Sequence, residues 1–279
     1  MRPTAMVPLV LLASLASLAA LPAGEPAIAE EVGDRFVVPL SQPGRPVTLR
    51  ASLVQGGITV VGYGGQEVVV ETMVAGQGRH RKAPPEAQGM RRIPNRSLGV
   101  VVEEESNEVV IRASGATSAD LRIQVPVETS LKLTAVNNGD ILVRGVRGDL
   151  ELRNTNGEIQ AHDVSGSVVA HTVNGDVVVT LRRVEPGAAM SFTTLNGDVD
   201  VTLPAGITAD LKMRSDRGEI YTAFDVALRP SRLGVSEERE GGRYRVKVEQ
   251  EMEGTINGGG PLYQLRTVNG DIFIRKGGG

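Results

Sequence analysis

Residues 136–158 read VNNGDILVRGVRGDLELRNTNGE, and this stretch decides the fold. Its glycines belong to a series in which Gly recurs at every ninth position, at Gly139, Gly148, Gly157, Gly166 and Gly175. Alternate members of the series differ in kind, because the first, third and fifth follow Asn and precede Asp or Glu, whereas the second and fourth do not. The repeating unit therefore spans two of these intervals and holds two turns and two strands.

The same turn returns at wider spacing towards the end of the chain. Asn196-Gly197-Asp198 and Arg217-Gly218-Glu219 each follow their predecessor after an interval slightly longer than the earlier unit, and Asn269-Gly270-Asp271 comes last. After the Asn-Gly turns the apolar residues alternate with period two, which is typical of a strand with one buried face. The apolar residues predicted to share that face are Ile141, Val143, Ile159, Ala161, Val177, Val179, Val199, Val201, Ile272 and Ile274.

Two all-β architectures fit this spacing of turns. Asn-Gly between alternating apolar residues is a strong hairpin signal, so an antiparallel β-meander is one alternative. The other is a parallel β-helix, or two-sided β-solenoid, with about 18–22 residues per coil. The alternation of turn types favours the solenoid, because a solenoid stacks equivalent turns about 4.8 Å apart and lines up like residues. Its thin core favours Val, Ile, Ala and Leu over aromatic residues, which make up 3% of this chain.

Composition excludes several classes of protein. The absence of Cys rules out structural zinc fingers, disulfide frameworks and thiol catalysis. A net charge of −3 argues against a nucleic-acid binder, which needs a basic surface to displace counterions from phosphate. The three His residues, His80, His162 and His171, show no metal-ligand spacing, and the known motifs of nucleotide and hydrolase sites do not occur. We predict no cofactor, no metal and no catalytic residues.

Residues 1–29 have the features of a cleaved signal peptide. Arg2 precedes an apolar stretch rich in Ala and Leu, and Ala27-Ile28-Ala29 supplies the small-x-small pattern of a cleavage site. An uncleaved membrane anchor is the alternative. Cleavage would leave residues 30–279 as an exported chain without a transmembrane segment, in the periplasm, at the cell surface or outside the cell.

We expect residues 30–279 to form one solenoid domain. The repeats form a core over 130–222, strands over 243–276 close the chain, and residues 75–97 interrupt the pattern as an exposed loop. This loop holds six cationic residues against one Glu, which is compatible either with a solvated loop or with contact to anionic lipid headgroups or acidic glycans. The six candidate polyanion contacts are Arg79, Arg81, Lys82, Arg91, Arg92 and Arg96.

The turn residues are predicted to be structural. Asn tolerates the left-handed conformation of tight turns, and its amide can form a ladder between coils. The stacked carboxylates could instead recruit a calcium ion, although each turn offers one acid and lacks the Gly-rich pattern of calcium-binding repeats. Arg147-Gly148-Asp149 matches an integrin-recognition tripeptide, but it occupies a position where the repeat requires Gly. The turn residues are Asn138, Gly139, Asp140, Asn156, Gly157, Glu158, Asn174, Gly175, Asp176, Asn196, Gly197, Asp198, Asn269, Gly270 and Asp271.

Four segments together resemble the bacterial β-strand-repeat putative adhesins, a family built on a domain of unknown function. These segments are Ser130-Leu131-Lys132-Leu133, VNNGDILVRGVRGDLELRNTNGEI, SGSVVAHTVNGDV and the ending GGGPLYQLRTVNGDIFIRKGGG. The likeness covers roughly residues 35–279 and is densest over 130–222 and 254–276. The resemblance implies an exported, solenoid-like protein without catalytic residues.

The sequence therefore predicts a non-catalytic β-solenoid of the bacterial envelope or surface, which acts as an adhesin-like binding protein or scaffold. Its partner would be a protein or an acidic glycan or lipid surface, and not a nucleic acid. One alternative is a polysaccharide-active β-helix enzyme, which a groove that combines acids, Lys or Arg and two or more aromatic residues would favour. The other alternative is a purely structural spacer.

Overall fold

The structure, a computed structural model, describes residues 32–74, 99–113, 119–229, 233–240 and 243–278. These residues form strands and turns, and no helix long and apolar enough to cross a membrane occurs among them. The strands are β1 (Val32–Pro39), β2 (Val47–Gln55), β3 (Ile58–Tyr63), β4 (Glu67–Val74), β5 (Val100–Glu105), β6 (Glu108–Ala113), β7 (Ala119–Pro126), β8 (Thr129–Asn137), β9 (Ile141–Arg144), β10 (Leu150–Arg153), β11 (Ile159–Ser165), β12 (Val168–His171), β13 (Val177–Arg183), β14 (Met190–Thr193), β15 (Val199–Leu203), β16 (Ala209–Ser215), β17 (Ile220–Thr222), β18 (Val226–Leu228), β19 (Leu233–Glu240), β20 (Arg243–Gln250), β21 (Met252–Ile256), β22 (Leu262–Thr267) and β23 (Ile272–Lys276).

Two large sheets carry the fold. Sheet A has ten strands in the order β1-β4-β7-β3-β9-β11-β13-β15-β23-β17, and sheet B has eleven in the order β18-β21-β16-β22-β14-β12-β10-β8-β2-β6-β5. Eight neighbouring strands of each sheet run parallel, from β7 to β17 in sheet A and from β6 to β16 in sheet B. Each coil contributes one strand to each sheet, so the described chain winds through eight coils.

Strand register confirms the predicted β-solenoid. Leu150 of β10 pairs with Leu131 of β8 and with Val168 of β12, which occupy the equivalent positions one coil before it and one coil after it. Val169 of β12 pairs in turn with Ser191 of β14, at the equivalent position of the next coil. The register therefore advances by one coil from strand to strand, as the spacing of the turns predicts. Since the pairing is parallel, the antiparallel meander is wrong.

The spatial order of the coils departs from the order along the chain at both ends. The coil of β22 and β23 is the last in the sequence, yet it lies between the coil of β14 and β15 and the coil of β16 and β17. Likewise, β2 and β3 lie between β6 and β7 on one side and β8 and β9 on the other. The repeated turns therefore stack in a spatial order that differs from their sequence order.

Antiparallel strands cover the ends of the coil stack. Sheet A is extended beyond β7 by β4 and β1, and sheet B is extended beyond β6 by β5. At the opposite end β21 and β18 extend sheet B beyond β16, whereas sheet A ends at β17. Of the strands expected over 243–276, β20 pairs with β19 in a separate two-stranded sheet.

The core lies between the two sheets and is built from the inward-facing residues of every coil. The ten apolar residues predicted to share one face of the strands after the turns are all buried, at 1% exposure or less. Two aromatic side chains, Phe192 and Tyr263, are also fully buried, although a thin core was expected to favour aliphatic over aromatic residues. The hydroxyl of Tyr263 has no hydrogen-bond partner among the described residues, and burial raises its pKa to about 12.

Candidate functional site

The Asn-Gly turns stack into a ladder of side-chain amides along one edge of the solenoid. Asn174 Nδ2 donates to Asn156 Oδ1 at 2.7 Å, and Asn196 Nδ2 donates to Asn174 Oδ1 at 2.7 Å. Asn269 Nδ2 continues the ladder to Asn196 Oδ1 at 2.6 Å, and Arg217 Nη1 ends it with a 2.5 Å bond to Asn269 Oδ1. The side chains of the turns therefore bind one coil to the next, in the spatial order of the coils.

The first turn departs from this pattern. Asn137, and not Asn138, provides the oxygen that accepts a 3.0 Å bond from Asn156 Nδ2. Asn138 instead has a φ of 57°, the left-handed conformation that Asn tolerates better than most residues. Asn137 thus continues the amide ladder, and Asn138 adopts the positive φ that the Gly after the ladder Asn adopts in later coils.

A second, buried ladder runs beside the first one and was not among the expectations from the sequence. Thr172 Oγ1 donates to the carbonyl of Gly157 at 2.9 Å, Thr194 Oγ1 to Gly175 O at 2.8 Å, and Thr267 Oγ1 to Gly197 O at 2.8 Å. These Thr side chains are at most 2% exposed. The same role falls to Asn154 and Ser215 in other coils. The signal was present in the sequence, since a Thr, Asn or Ser stands two positions before each Asn or Arg of these turns.

The acidic residues of the turns form a column, and their carboxylates bind backbone amides. Asp140 Oδ1 accepts from Glu158 N, Asp176 Oδ1 from Asp198 N, and Asp198 Oδ1 from Asp271 N, each at 2.8 Å. Each of these Asp side chains therefore caps the backbone of the next coil. Among the described residues, no group of three His, Asp or Glu side chains is placed to hold a metal ion.

An ion pair and a hydrogen bond hold the side chains of the Arg-Gly-Asp tripeptide against neighbouring residues. Arg147 Nη1 lies 3.3 Å from Glu128 Oε1, and the Asp149 carboxylate accepts a short hydrogen bond from Ser167 Oγ. A shallow cavity of about 600 Å³ lies beside it and is lined by Glu128, Arg147, Gly148, Ser165, Arg182, Arg183 and Glu185. Arg182 Nε is held by Asp163 at 2.8 Å, and this hydrogen bond lowers the pKa of the Asp163 carboxyl. The tripeptide is therefore part of the turn packing and does not project as a free loop.

The outer face of sheet B carries ion pairs, both within a strand and between neighbouring segments. Lys132 Nζ lies 2.9 Å from Glu151 Oε2, and Arg153 Nη2 lies 2.8 Å from Glu151 Oε1. The hydrogen bond from Lys132 is the main reason why the pKa of Glu151 is below its usual value. Further pairs of this kind join Arg50 to Glu108, Arg112 to Glu103 and Lys212 to Glu251. Most of these side chains are exposed, so each pair contributes little to stability.

The outer face of sheet A holds a cluster that the sequence does not reveal. Tyr221 of β17 stacks on Phe273 of β23, with ring centroids 5.2 Å apart and ring planes 10° apart. The Arg275 guanidinium lies 5.2 Å from the centre of the Phe273 ring. Arg275 Nε donates to both carboxylate oxygens of Asp200, at 2.8 and 2.9 Å, and this bonding raises the pKa of the guanidinium. We call Tyr221, Phe273, Arg275 and Asp200 the aromatic patch.

The aromatic patch has side chains of the kind that bind a partner molecule. Tyr221 is 50% exposed, and an exposed aromatic ring beside a charged pair offers an apolar face together with hydrogen-bonding groups. Its members come from three coils, of which the coil of β22 and β23 is distant in the sequence from the other two, so the insertion of this last coil between β15 and β17 is what brings them together. The six candidate polyanion contacts, which all belong to residues 75–97, lie outside the described residues.

The chain matches a known protein family. Residues 113–275 match the family described as Toastrack DUF4097, which is more than half of the chain. The matched region includes every Asn-Gly turn and the whole aromatic patch. No curated protein matches the sequence.

Two solved structures resemble this fold at low sequence identity. A protein of Clostridium sporogenes, described as a putative cell adhesion protein, is 12% identical with a TM-score of 0.51, over 88% of this chain and 98% of that chain. A protein of Bacteroides fragilis, described as a putative adhesin, is also 12% identical, over 87% of this chain and 96% of that chain, with a TM-score of 0.37. At this identity the first likeness establishes a shared fold and no more.

Proposed function

This chain belongs to the Toastrack DUF4097 family, and from that membership and the geometry of its surface we propose that it is a non-catalytic, adhesin-like binding protein of the bacterial envelope or surface. The Clostridium protein of the same fold is described as a putative cell adhesion protein, which supports this proposal. We also propose that residues 30–279 act as one domain, and that Asn-Gly-Asp or Asn-Gly-Glu turns are the feature by which members of this family stack their coils.

The aromatic patch is the observation that carries the proposed binding function. Phe and Tyr number eight in the whole chain, and two of them are stacked on an exposed sheet face beside an Arg–Asp pair. Aromatic and Arg side chains are enriched where proteins recognise partners, because they combine apolar area with directed hydrogen bonds. We propose that a protein or a glycan of the envelope lies against this face.

The patch favours binding over glycoside chemistry. Most glycoside hydrolases use two carboxyl groups on opposite sides of the scissile bond, one as acid and one as nucleophile or base. The patch contains one carboxylate, Asp200, and both of its oxygens accept hydrogen bonds from Arg275. Because the cluster lies on an open sheet face, it also lacks the enclosure that the enzyme alternative requires.

Binding of envelope material tests this function. We expect the purified chain to sediment with a bacterial cell-envelope fraction, and Phe273→Ala to reduce the bound fraction severalfold by removing the ring on which Tyr221 stacks. Leu142→Ala is the matched control, since Leu142 belongs to the same outward-facing row of sheet A but lies four strands away from Phe273. Equal binding by wild type and Phe273→Ala would exclude the patch as the binding surface.

Export is the second part of the proposal. The apolar segment and the Ala27-Ile28-Ala29 pattern support cleavage after Ala29 and release into the periplasm or onto the surface. N-terminal sequencing of the protein recovered from a fractionated bacterial host tests it. We expect the mature chain to begin at Glu30 outside the cytoplasm, and an intact Met1 in the membrane fraction would indicate an anchor instead.

We propose that residues 75–97 form an exposed basic loop and that this loop makes a second contact. Its six cationic side chains, Arg79, Arg81, Lys82, Arg91, Arg92 and Arg96, are suited to an anionic lipid or glycan surface. Deletion of residues 75–97 should abolish binding to anionic vesicles and leave the sedimentation with envelope protein unchanged. Failure of the intact chain to bind such vesicles would dismiss this contact.

A further inference from the structure

The two sheets end unevenly beside β17. Sheet B continues past β16 by two strands, β21 and β18, whereas sheet A ends at β17, the partner of β16 in the same coil. The inner side of these two strands therefore has no strand of sheet A opposite to it among the described residues. We call this place, bounded by β17, β18 and β21, the end slot.

The floor of the end slot is apolar. Leu228 pairs with Gly254, which pairs with the buried Leu211, so Leu228 is on the core side of sheet B. It is nevertheless 65% exposed, the largest exposure among the large apolar side chains of the described residues. Val226 and Met252 lie on the same side and are half-buried. Together the three side chains form an apolar surface on the core side of sheet B that no strand of sheet A covers among the described residues.

The wall of the end slot is an open strand edge. Ile272 N donates to Glu219 O, and Ala223 N donates to Ile274 O, both at 2.9 Å. In a parallel ladder this alternation turns the backbone groups of Ile220 and Thr222 away from β23. Among the described residues these groups have no backbone partner, so they can pair with an added strand, beside which Glu219 and Tyr221 would lie on the outer face.

The chain itself contains a hairpin of matching size and charge. β19 and β20 form a two-stranded antiparallel sheet, and two strands are what sheet A lacks opposite β21 and β18. The sequence of β20 alternates Arg243, Arg245 and Lys247 with Tyr244, Val246 and Val248. If a strand with this alternation is added beside β17 with its apolar residues towards Leu228, its cationic residues fall beside Glu219 and the half-exposed Tyr221 ring, where charge and cation–π attraction both favour them. A lone hairpin is marginally stable, so it gains by docking.

The hairpin of the same copy is too tightly tethered to fill this slot. Glu251 is the single residue between β20 and β21, and β21 is part of sheet B. Packed sheets lie about 10 Å apart, whereas the two steps from Gln250 to Met252 span at most about 7 Å. We therefore propose that the end slot of one copy receives the β19–β20 hairpin of a second copy, so that the protein self-associates through strand addition to β17.

Complementary variants of the full chain test this proposal in sedimentation velocity over a concentration series. We expect wild type to associate, and Leu228→Asp to weaken association at least about tenfold, because it places a charge on the floor of the slot. Val246→Asp should do the same by spoiling the hairpin. Ala227→Asp, on the outer face of the same strand, should associate like wild type. Mixing Leu228→Asp with Val246→Asp should restore a complex, because the unaltered hairpin of Leu228→Asp can bind the unaltered end slot of Val246→Asp.

Three results would overturn the proposal. The first is a wild type that stays monomeric at every concentration, and the second is equal association by Leu228→Asp and wild type. The third is association that Leu228→Asp weakens but Val246→Asp does not, because the end slot would then bind something other than the hairpin. Circular dichroism of each variant establishes that it is folded. The outcome is separable from the proposed envelope binding, because Leu228→Asp leaves Phe273, Arg275 and Asp200 in place and should still sediment with the envelope fraction.

Discussion

Asn269 and Asn196 are distant in the sequence, yet Asn269 Nδ2 donates a 2.6 Å hydrogen bond to Asn196 Oδ1 as the next rung of one ladder. The bond exists because the last coil of the chain lies directly beside the coil of β14 and β15. The same insertion places Phe273 between Asp200 and Tyr221. One topological feature therefore extends the amide ladder and builds the aromatic patch.

Asn174→Leu should lower the stability of the solenoid. Asn174 donates to Asn156 and accepts from Asn196, so the substitution removes two hydrogen bonds, each worth about 0.5–1.5 kcal/mol. Thermal unfolding followed by circular dichroism measures the change. Gln264→Leu is the control, because Gln264 lies on the outer face of sheet B and no side-chain hydrogen bond joins it to the other described residues. An unchanged melting temperature in Asn174→Leu would contradict a structural role for the ladder.

Thr172→Val tests the buried ladder. The substitution keeps the shape of the side chain but leaves the carbonyl of Gly157 without its donor, at a cost of about 1–3 kcal/mol. Urea unfolding gives the free energy difference. Thr193→Val should be nearly neutral, because Thr193 lies on the outer face of β14 and is half-buried. If both variants lose the same stability, the hydroxyl of Thr172 has no special role.

Tyr263→Phe should stabilise the protein. The Tyr263 hydroxyl is buried without a hydrogen-bond partner among the described residues, and removing such a group recovers about 1 kcal/mol of desolvation cost. The reciprocal change, Phe192→Tyr, adds a hydroxyl to the same core and should destabilise it. A loss of stability in Tyr263→Phe, measured by urea unfolding, would show that the hydroxyl has a partner, such as a buried water molecule.

Lys132→Met should raise the pKa of Glu151 towards its usual value. The Glu151 carboxyl has a lowered pKa in the folded protein, so it contributes stability above the pKa of the unfolded chain, and this contribution is lost as the pH falls through the folded value. The wild type should therefore be more stable than Lys132→Met at neutral pH, and the difference should vanish in acid. NMR titration of Glu151 gives the pKa directly. Lys212→Met, which breaks the ion pair with Glu251 instead, should leave it unchanged.

The regular coils could be predicted from the sequence because each turn imposes a local requirement on residue type. A Cβ atom at Gly175 would lie 2.3 Å from Gly157 O, and the φ of Gly175 is 143°, so the stacking of turns requires Gly at this position. Repetition of that requirement at a fixed interval gives the coil length directly. The alternating apolar residues then define the two faces of each strand.

The order of the coils and the aromatic patch could not be predicted in the same way. The coil of β22 and β23 carries the same turn as its neighbours, so its sequence suits any place in the stack. Tyr221 and Phe273 lie in different, widely separated segments of the chain, and nothing local to either residue indicates the other. The sequence also does not show that Asn137, and not Asn138, belongs to the amide ladder, because both residues have the side chain that the ladder needs.

The insertion of the last coil is the central claim, and pairs of introduced cysteines test it most directly, because the chain has no Cys of its own. Ser191 of β14 is in register with Gln264 of β22, and Gln264 is in register with Lys212 of β16. Neighbouring strands lie about 4.8 Å apart, which suits a disulfide, whereas Ser191 and Lys212 are two spacings apart and beyond its reach.

We therefore expect Ser191→Cys with Gln264→Cys to form an intramolecular disulfide under mild oxidation, detected by peptide mapping with mass spectrometry. Ser191→Cys with Lys212→Cys should stay reduced. A disulfide in the second pair and none in the first would mean that β14 lies directly beside β16, and would contradict the inserted coil together with the surface that it builds.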